Sequence, residues 1–310
     1  MHRSKLIAVA GPTGAGKSEL ALRIAGEMGG EIVNCDSVQL YRHFDLGTAK
    51  IPPERRRGIP HHLLDLLEPD AVFSAGDYAR LAAGVIEQIQ ARGRVPILVG
   101  GTGFYLRALL RGLAPAPPRD EAVRARLERR ESLRPGSLHS ILRRLDPTTA
   151  VRIHPHDRHK LIRALEVRLA SGRPLSSWFL EPAHPAAGFE TLLLGLNPPR
   201  DVLYERINRR CALMFERGLV DEVRRILALG YSSACKPFES LGYRQALAVA
   251  EGRMTVEEAV TSTQTETRNY AKRQYTWFRR EAGLIWLEGF GETVEWQPWV
   301  RGFLTAPASG

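Results

Sequence analysis

Eight consecutive residues have the types and spacing to hold phosphate: Gly11, Pro12, Thr13, Gly14, Ala15, Gly16, Lys17 and Ser18. They satisfy the G-x-x-x-x-G-K-[ST] pattern, which carries weight only between a strand and a helix. Both flanks fit. An apolar run from Leu6 to Ala10 precedes the glycines, and an amphipathic stretch from Glu19 to Met28 follows. In such a turn the backbone amides converge with the positive end of the helix on a single point, a nest for oxyanions. Lys17 adds a point charge, and the Ser18 hydroxyl suits one coordination position on Mg²⁺. The chemistry is binding of a di- or triphosphate, nucleotides included; the motif does not say whose.

Other side chains can serve the same ligand. Asp36 ends a segment that starts at Glu31, and Ser37, Val38 and Gln39 open the loop beyond it. Ligands of open α/β sheets collect at the carboxyl ends of strands, so Asp36 is expected to face the phosphate. A carboxylate there can accept a substrate proton, hold a metal or cap a helix, and position alone leaves all three open. Arg206 and Arg210 lie one helical turn apart. Such a pair can clamp diphosphate oxygens, and the same spacing suits a solvated helix face. The apolar run 96–99 leads into Gly100, Gly101, Thr102 and Gly103. A nucleotide hydrolase of this architecture usually carries a magnesium-binding aspartate there, so its lack argues against a motor or switch.

Positioning these groups takes an α/β fold: a P-loop-type open, mainly parallel sheet flanked by helices, with an inserted helical domain. Strands are expected at 6–10, 31–36, 96–99, 191–196 and 284–287, and helices at 19–28, 75–91 and 201–217. In the second helix Leu81, Val85, Ile86 and Ile89 are expected to share a face, with Ala75, Gly76 and Asp77 as its cap. Residues 42–76 read as irregular, and His61 and His62 within them as packing or hydrogen-bonding residues rather than metal ligands. Linkers at 114–118 and 181–188 bracket helices at 119–131, 137–145 and 157–171. Residues 119–180 hold 14 Lys+Arg against 7 Asp+Glu, +7 of the chain's +10. A basic helical insertion suits a nucleic-acid backbone; a solvated face is the plainer alternative. His154, His156 and His159 in it read as polar contacts. The domains are then core 1–117, inserted basic helical domain 118–188, core 189–304 and a flexible tail, 305–310. Between Arg268 and Arg280 basic residues alternate with Tyr270, Tyr275, Trp277 and Phe278. That face can grip phosphates and stack bases, or place Trp277 and Phe278 in the core.

A hydrophobic content of 44% is enough for a folded core, whereas a net charge of +10 calls for a polyanionic partner, nucleic acid before membrane. Arginine-rich composition is the bland alternative. Cys35, Cys211 and Cys235 are too few and too scattered for a disulfide framework or a zinc signature, so a cytoplasmic setting is expected. The basic start of the chain lacks a signal peptide's apolar length, and no stretch approaches a membrane span.

With these residues assembled, the chain closely resembles the tRNA dimethylallyltransferase (tRNA isopentenyltransferase) family. From about residue 5 to 287, in family order, the resemblance is carried by Gly11 to Ser18, Asp36 to Tyr41 and Pro60 to Asp65. Gly100 to Tyr105, Arg163 to Val167, Arg206 with Arg210, and Gly242 to Gln245 complete it. The resemblance implies transfer of a dimethylallyl group from dimethylallyl diphosphate to N6 of the adenine 3′-adjacent to the tRNA anticodon, with Mg²⁺. It implies Asp36 as general base, with Lys17, Ser18, the amides of residues 11–16, Arg210 and Arg206 on the diphosphate. The inserted basic domain, 118–188, is implied to bind tRNA. Contacts to the tRNA anticodon stem-loop are implied at Asp36, Ser37, Val38, Gln39, Thr102, Arg124, His159, Lys160, Leu161, Ile162 and Arg163. Glu239, Ser240, Leu241, Gly242, Tyr243 and Arg244 complete that set. No C-terminal zinc-finger pattern is present, as in the bacterial type, and a monomer off the membrane is expected. Two rivals remain at this point. A small-metabolite kinase shares the loop and Asp36 but leaves the basic insertion without a purpose; a nucleotide-gated RNA-binding protein needs no prenyl chemistry.

Overall fold

The computed structural model describes residues 4–181 and 188–307. Its elements in chain order are β1 (Ser4–Ala10), α1 (Lys17–Met28), β2 (Gly30–Asn34), β3 (His61–His62), α2 (Ala75–Ala91), β4 (Val95–Val99) and α3 (Gly103–Arg111). Next come α4 (Glu121–Leu133), α5 (Ser137–Leu145), α6 (Pro147–Arg152), α7 (Arg158–Ser171) and α8 (Leu175–Trp178). The chain continues through β5 (Phe189–Leu196), α9 (Arg200–Glu216), α10 (Leu219–Ala228), α11 (Tyr243–Ala250), α12 (Val256–Phe278), β6 (Leu284–Leu287) and α13 (Gln297–Thr305). Two compact units result: Met1–Leu110 with Ala186–Gly310, and Arg111–Pro185.

In the first unit the strands form one parallel sheet in the order β3-β2-β4-β1-β5-β6. Continuous apolar runs in β1, β4 and β5 suit a sheet covered on both faces. Ile7 lies opposite Ile97 on one side and Leu192 on the other. Ile7, Val9, Leu20, Ile24, Ile97, Leu194 and Trp296 share one buried cluster. Strands β2 to β4 lie to one side of β1, and β5 and β6 to the other. The order of winding therefore reverses at β1, where ligands of open α/β sheets settle. The carboxyl ends of β1, β4 and β2 stand side by side there, bringing together segments from residues 11, 100 and 35 onward.

Several local expectations change. His61 and His62 form a short edge strand beside β2 within the stretch expected to be irregular. They do hydrogen-bond: His61 Nδ1 with Ile59 O at 2.8 Å and His62 Nε2 with Glu31 Oε2 at 2.7 Å. Helix α2 is capped by Ser74 and Asp77 in a reciprocal box, one residue earlier than expected. Its buried stripe is Tyr78, Ala82, Ile86 and Ile89, and Leu81 is exposed. Small alanines let the helix sit close to the sheet, a role that hydrophobicity alone did not rank. Thr305, the expected start of a flexible tail, is the last residue of α13. Residues 1–3, 308–310 and most of the second linker, 182–187, lie outside the described residues.

The second unit packs α4 to α8 around Leu127, Leu138, Leu142, Leu161, Ile162, Leu165 and Leu175. Among its buried charged residues Glu166 is wholly removed from solvent. Glu166 accepts from the Asp120 amide at 2.7 Å, from Arg163 at 2.8 Å and from Arg124 at 3.3 Å. Among the described residues no helix is long and apolar enough to cross a membrane.

Candidate active site

Beyond β1, loop 11–16 closes on the start of α1. Gly16, the helix N-cap, has φ of 87°, a left-handed conformation that a side chain would strain. Ala15 is fully buried and plugs the loop into the core. Lys17 Nζ donates to Pro12 O at 2.8 Å, folding the side chain back over the loop. Burial lowers the Lys17 ammonium from 10.5 to about 8, the charge of Arg210 adds to that, and Asp36 opposes it.

Arg210, from α9, donates through Nη2 to Thr13 Oγ1 at 2.6 Å. Burial holds its pKa below the ordinary value, Cys211 and Asp36 pull it up, and Arg206 pushes it down. Its Nε is buried without a hydrogen-bond partner among the described residues. A guanidinium with an unmet buried donor, next to an amide nest and a lysine, suits an oxyanion. Arg206 goes elsewhere. It pairs with Glu292, Nη1 lying 3.2 Å from Oε2, and sits 5.0 Å over the Phe290 ring. The expected one-turn clamp is thus divided between two partners: Arg210 on the loop, Arg206 on a carboxylate from the segment after β6. That segment reaches the loop because the Gly291 amide donates to Ala15 O at 2.9 Å.

Beyond β2, Asp36 Oδ1 accepts from the Val38 amide at 2.9 Å and the Gln39 amide at 3.3 Å. No helix starts here for Asp36 to cap; it fixes the turn at residues 37–40 instead, and this takes one oxygen only. Fixed in this way, the carboxylate stands near enough to Lys17, Arg210 and Tyr270 to influence their protonation. The Ser37 amide donates to Thr102 Oγ1 at 3.1 Å, tying this loop to the end of β4. Between them, Gly100 is obligatory, since a Cβ would overlap the Cys35 carbonyl.

Sequence reasoning missed the residue that joins two of these loops. Buried Gln274, on α12, accepts from the Thr13 amide at 2.8 Å and donates to Gly101 O at 2.9 Å. Its neighbours on the helix divide: Phe278 is core, and Trp277 packs on Gly103 with Arg107 4.3 Å over its ring. The available signal was the buried stripe of α12, where Thr263, Thr267, Ala271 and Gln274 recur at helical spacing.

The residues implied to touch tRNA differ in exposure. Asp36, Ser37, Val38, Gln39 and Thr102 are half-buried; Glu239, Arg244, His159 and Lys160 are exposed. Arg244 pairs with Glu266. Tyr243 is completely buried: its hydroxyl donates to Glu222, accepts from the Gly47 amide at 3.1 Å, and its ring lies 4.7 Å from Phe44. Gly242 is buried beside it, Ser240 and Leu241 are half-buried, and Leu161 and Ile162 are core of the second unit. Arg124 is nearly buried on Glu166, and half-buried Arg163 shares that carboxylate. A turn motif with an aromatic and a helix motif with a basic residue look alike in sequence, whether they face ligand or core.

For a metal the donor set is sparse. No group of three or more His, Cys, Asp or Glu among the described residues is arranged to hold one. Ser18, in the first turn of α1, fits an Mg²⁺ held chiefly by phosphate oxygens and water.

The parallel sheet and its glycine-rich loop define a P-loop-type α/β protein. The chain belongs to the IPP transferase family, whose model matches residues 39–281. It is 60% identical over 290 residues to the tRNA dimethylallyltransferase of Solibacter usitatus (strain Ellin6076), covering 94% of each chain. The tRNA dimethylallyltransferase of Koribacter versatilis (strain Ellin345) is 52% identical, over 93% of this chain and 94% of that one. Among solved structures the chain is similar to the tRNA isopentenylpyrophosphate transferase of Bacillus halodurans, with a TM-score of 0.68 and 38% identity. That match covers 92% of this chain and 90% of the other. A eukaryotic dimethylallyltransferase acting on tRNA matches with a TM-score of 0.77 and 28% identity, over 92% of this chain and 74% of that one.

Proposed function

We propose that the protein transfers the dimethylallyl group of dimethylallyl diphosphate to N6 of the adenine 3′-adjacent to the anticodon in tRNA, releasing diphosphate. The supporting observation is a carboxylate, Asp36, set beside a cationic oxyanion nest whose Arg210 keeps a buried donor unmet. Adenine N6 is a weak nucleophile because its lone pair is delocalised into the ring. The allylic carbon becomes a good electrophile as its C–O bond to diphosphate breaks. The loop amides, Lys17 and Arg210 hold the leaving group where negative charge grows. Ser18 would help hold an Mg²⁺, which would supply further neutralisation of that charge. Asp36, held through Oδ1 by the Val38 and Gln39 amides, accepts the N6 proton on its other oxygen as the C–N bond forms.

The target adenine is stacked in the anticodon loop and must be splayed out to react. The exposed basic side chains of residues 119–180 give a salt-dependent grip on the tRNA backbone. The protein works as a monomer in the cytoplasm. Incubating it with Mg²⁺, tRNA and either dimethylallyl diphosphate or ATP tests the reading. Consumption of the allylic donor with tRNA alone among acceptors is expected; phosphoryl transfer from ATP to a small hydroxyl compound would replace this reading with a kinase.

A further inference from the structure

We propose that Glu292 is a positioning residue that holds Arg206 away from the diphosphate and so sets how readily the enzyme lets diphosphate go. The inference rests on the reading above that loop 11–16 receives a diphosphate.

Glu292 lies in the turn after β6. The Gly291 amide binds Ala15 O at 2.9 Å, and Arg23 donates to Gly291 O at 2.9 Å and Val294 O at 3.0 Å. The turn is thereby strapped to the loop and to α1 together. A Cβ built on Gly16 would stand 2.6 Å from Glu292 Oε2, so this carboxylate runs alongside the N-cap of α1. That helix end, with its amides and positive dipole, is where a phosphate oxygen gains most. Partial burial acts to raise the Glu292 pKa, but its bond to Arg206 and the charges of Arg206 and Arg23 prevail, keeping it low.

Arg206 meets Glu292 with both terminal nitrogens, and Phe290 flanks the guanidinium. One helical turn on, Arg210 already touches Thr13, and the Arg206 charge is felt at Arg210. Two cations therefore stand at the rim of the nest, one committed to the loop and one to a carboxylate. An arriving diphosphate competes with Glu292 for Arg206. The carboxylate weakens the grip on the leaving group, which lets the product depart after transfer.

Calorimetric titration of inorganic diphosphate into the full-length protein with Mg²⁺ tests this. Glu292→Gln keeps the shape and removes the charge, so it should bind diphosphate about threefold to fivefold tighter, the range of a half-exposed ion pair. The KM for dimethylallyl diphosphate should fall in step without a rise in kcat. Glu292→Asp, which retains the charge, should show no tightening. In an Arg206→Gln background the gain from Glu292→Gln should vanish, because the effect passes through Arg206. A merely structural Glu292 would loosen the turn and weaken binding. Unchanged or weaker binding by Glu292→Gln, or equal tightening with Arg206 absent, overturns the inference while leaving the diphosphate site intact. A wild-type protein that binds no diphosphate overturns the site assignment and the inference with it.

Discussion

Replacing Gln274 with leucine removes a side chain that bridges the phosphate loop and the end of β4. Leucine matches the volume and cannot hydrogen-bond, so the Thr13 N–H and the Gly101 carbonyl both lose a partner. An unmet buried group costs about 1–3 kcal/mol. The Thr13 bond is only partly buried, and the Gly101 carbonyl keeps the Gly103 amide at 3.2 Å, which puts both losses near the bottom of that range. The sum is about 2 kcal/mol, or a fall of roughly 4 °C in unfolding midpoint at about 2 °C per kcal/mol for a chain of this size. Calorimetric unfolding measures it, and diphosphate affinity should weaken as the loop loses its brace. Gln274→Glu sharpens the test. It still accepts from Thr13 but sets a carboxylate oxygen against the Gly101 carbonyl, which raises its pKa in the folded state. Its stability should therefore be close to wild type below the unfolded carboxylate pKa and be lost as pH rises through the folded value. If both variants melt within about 1 °C of wild type across pH 4 to 8, roughly 0.5 kcal/mol, the bridge holds nothing together.

Three further outcomes are expected. Lys17 carries its charge below about 8, so affinity for dimethylallyl diphosphate should decline as pH climbs past that value. Lys17→Arg should keep affinity across the same range, and an identical decline in both proteins would place the titration elsewhere. Arg143→Ala with Arg144→Ala, two exposed positions of the basic insertion, should make the dependence of log tRNA affinity on log salt shallower by roughly 0.7–0.9 for each phosphate no longer neutralised. Measured kcat should hold, and an unaltered slope would move the RNA surface away from these residues. Glu166→Ala strands the buried guanidinium of Arg124 and frees that of Arg163, and should destabilise the second unit by about 3–5 kcal/mol in denaturant unfolding; a loss under about 1 kcal/mol would mean water already satisfies both.

Much of this architecture was legible because its signals are local. Glycines at 11, 14 and 16 with Lys17 name a loop conformation as well as a ligand, and apolar runs without alternation name covered parallel strands. Asp36 could be placed because a strand end in this fold has one destination. The interactions that finish the site are long-range, and no local pattern specifies them. Gln274 meets Thr13 across 261 positions, and Glu292 meets Arg206 across 86. Burial was the other blind spot. Tyr243 sits in a polar turn and turns inward to Glu222, while Leu161 and Ile162 share a helix start with exposed His159 and Lys160. Motif membership reports that a segment matters; which face of it meets solvent is decided by packing from elsewhere in the chain.

The central claim is that Asp36 takes the N6 proton beside a held diphosphate. Mass analysis of nucleosides from tRNA treated with Mg²⁺ and dimethylallyl diphosphate tests it directly, comparing wild type with Asp36→Asn at matched tRNA occupancy. Wild type should convert adenosine to its dimethylallyl form, and Asp36→Asn should bind tRNA as well while turning over about 10²–10⁴ times more slowly. Equal rates in the two proteins, or tRNA of unchanged mass from both, would contradict it.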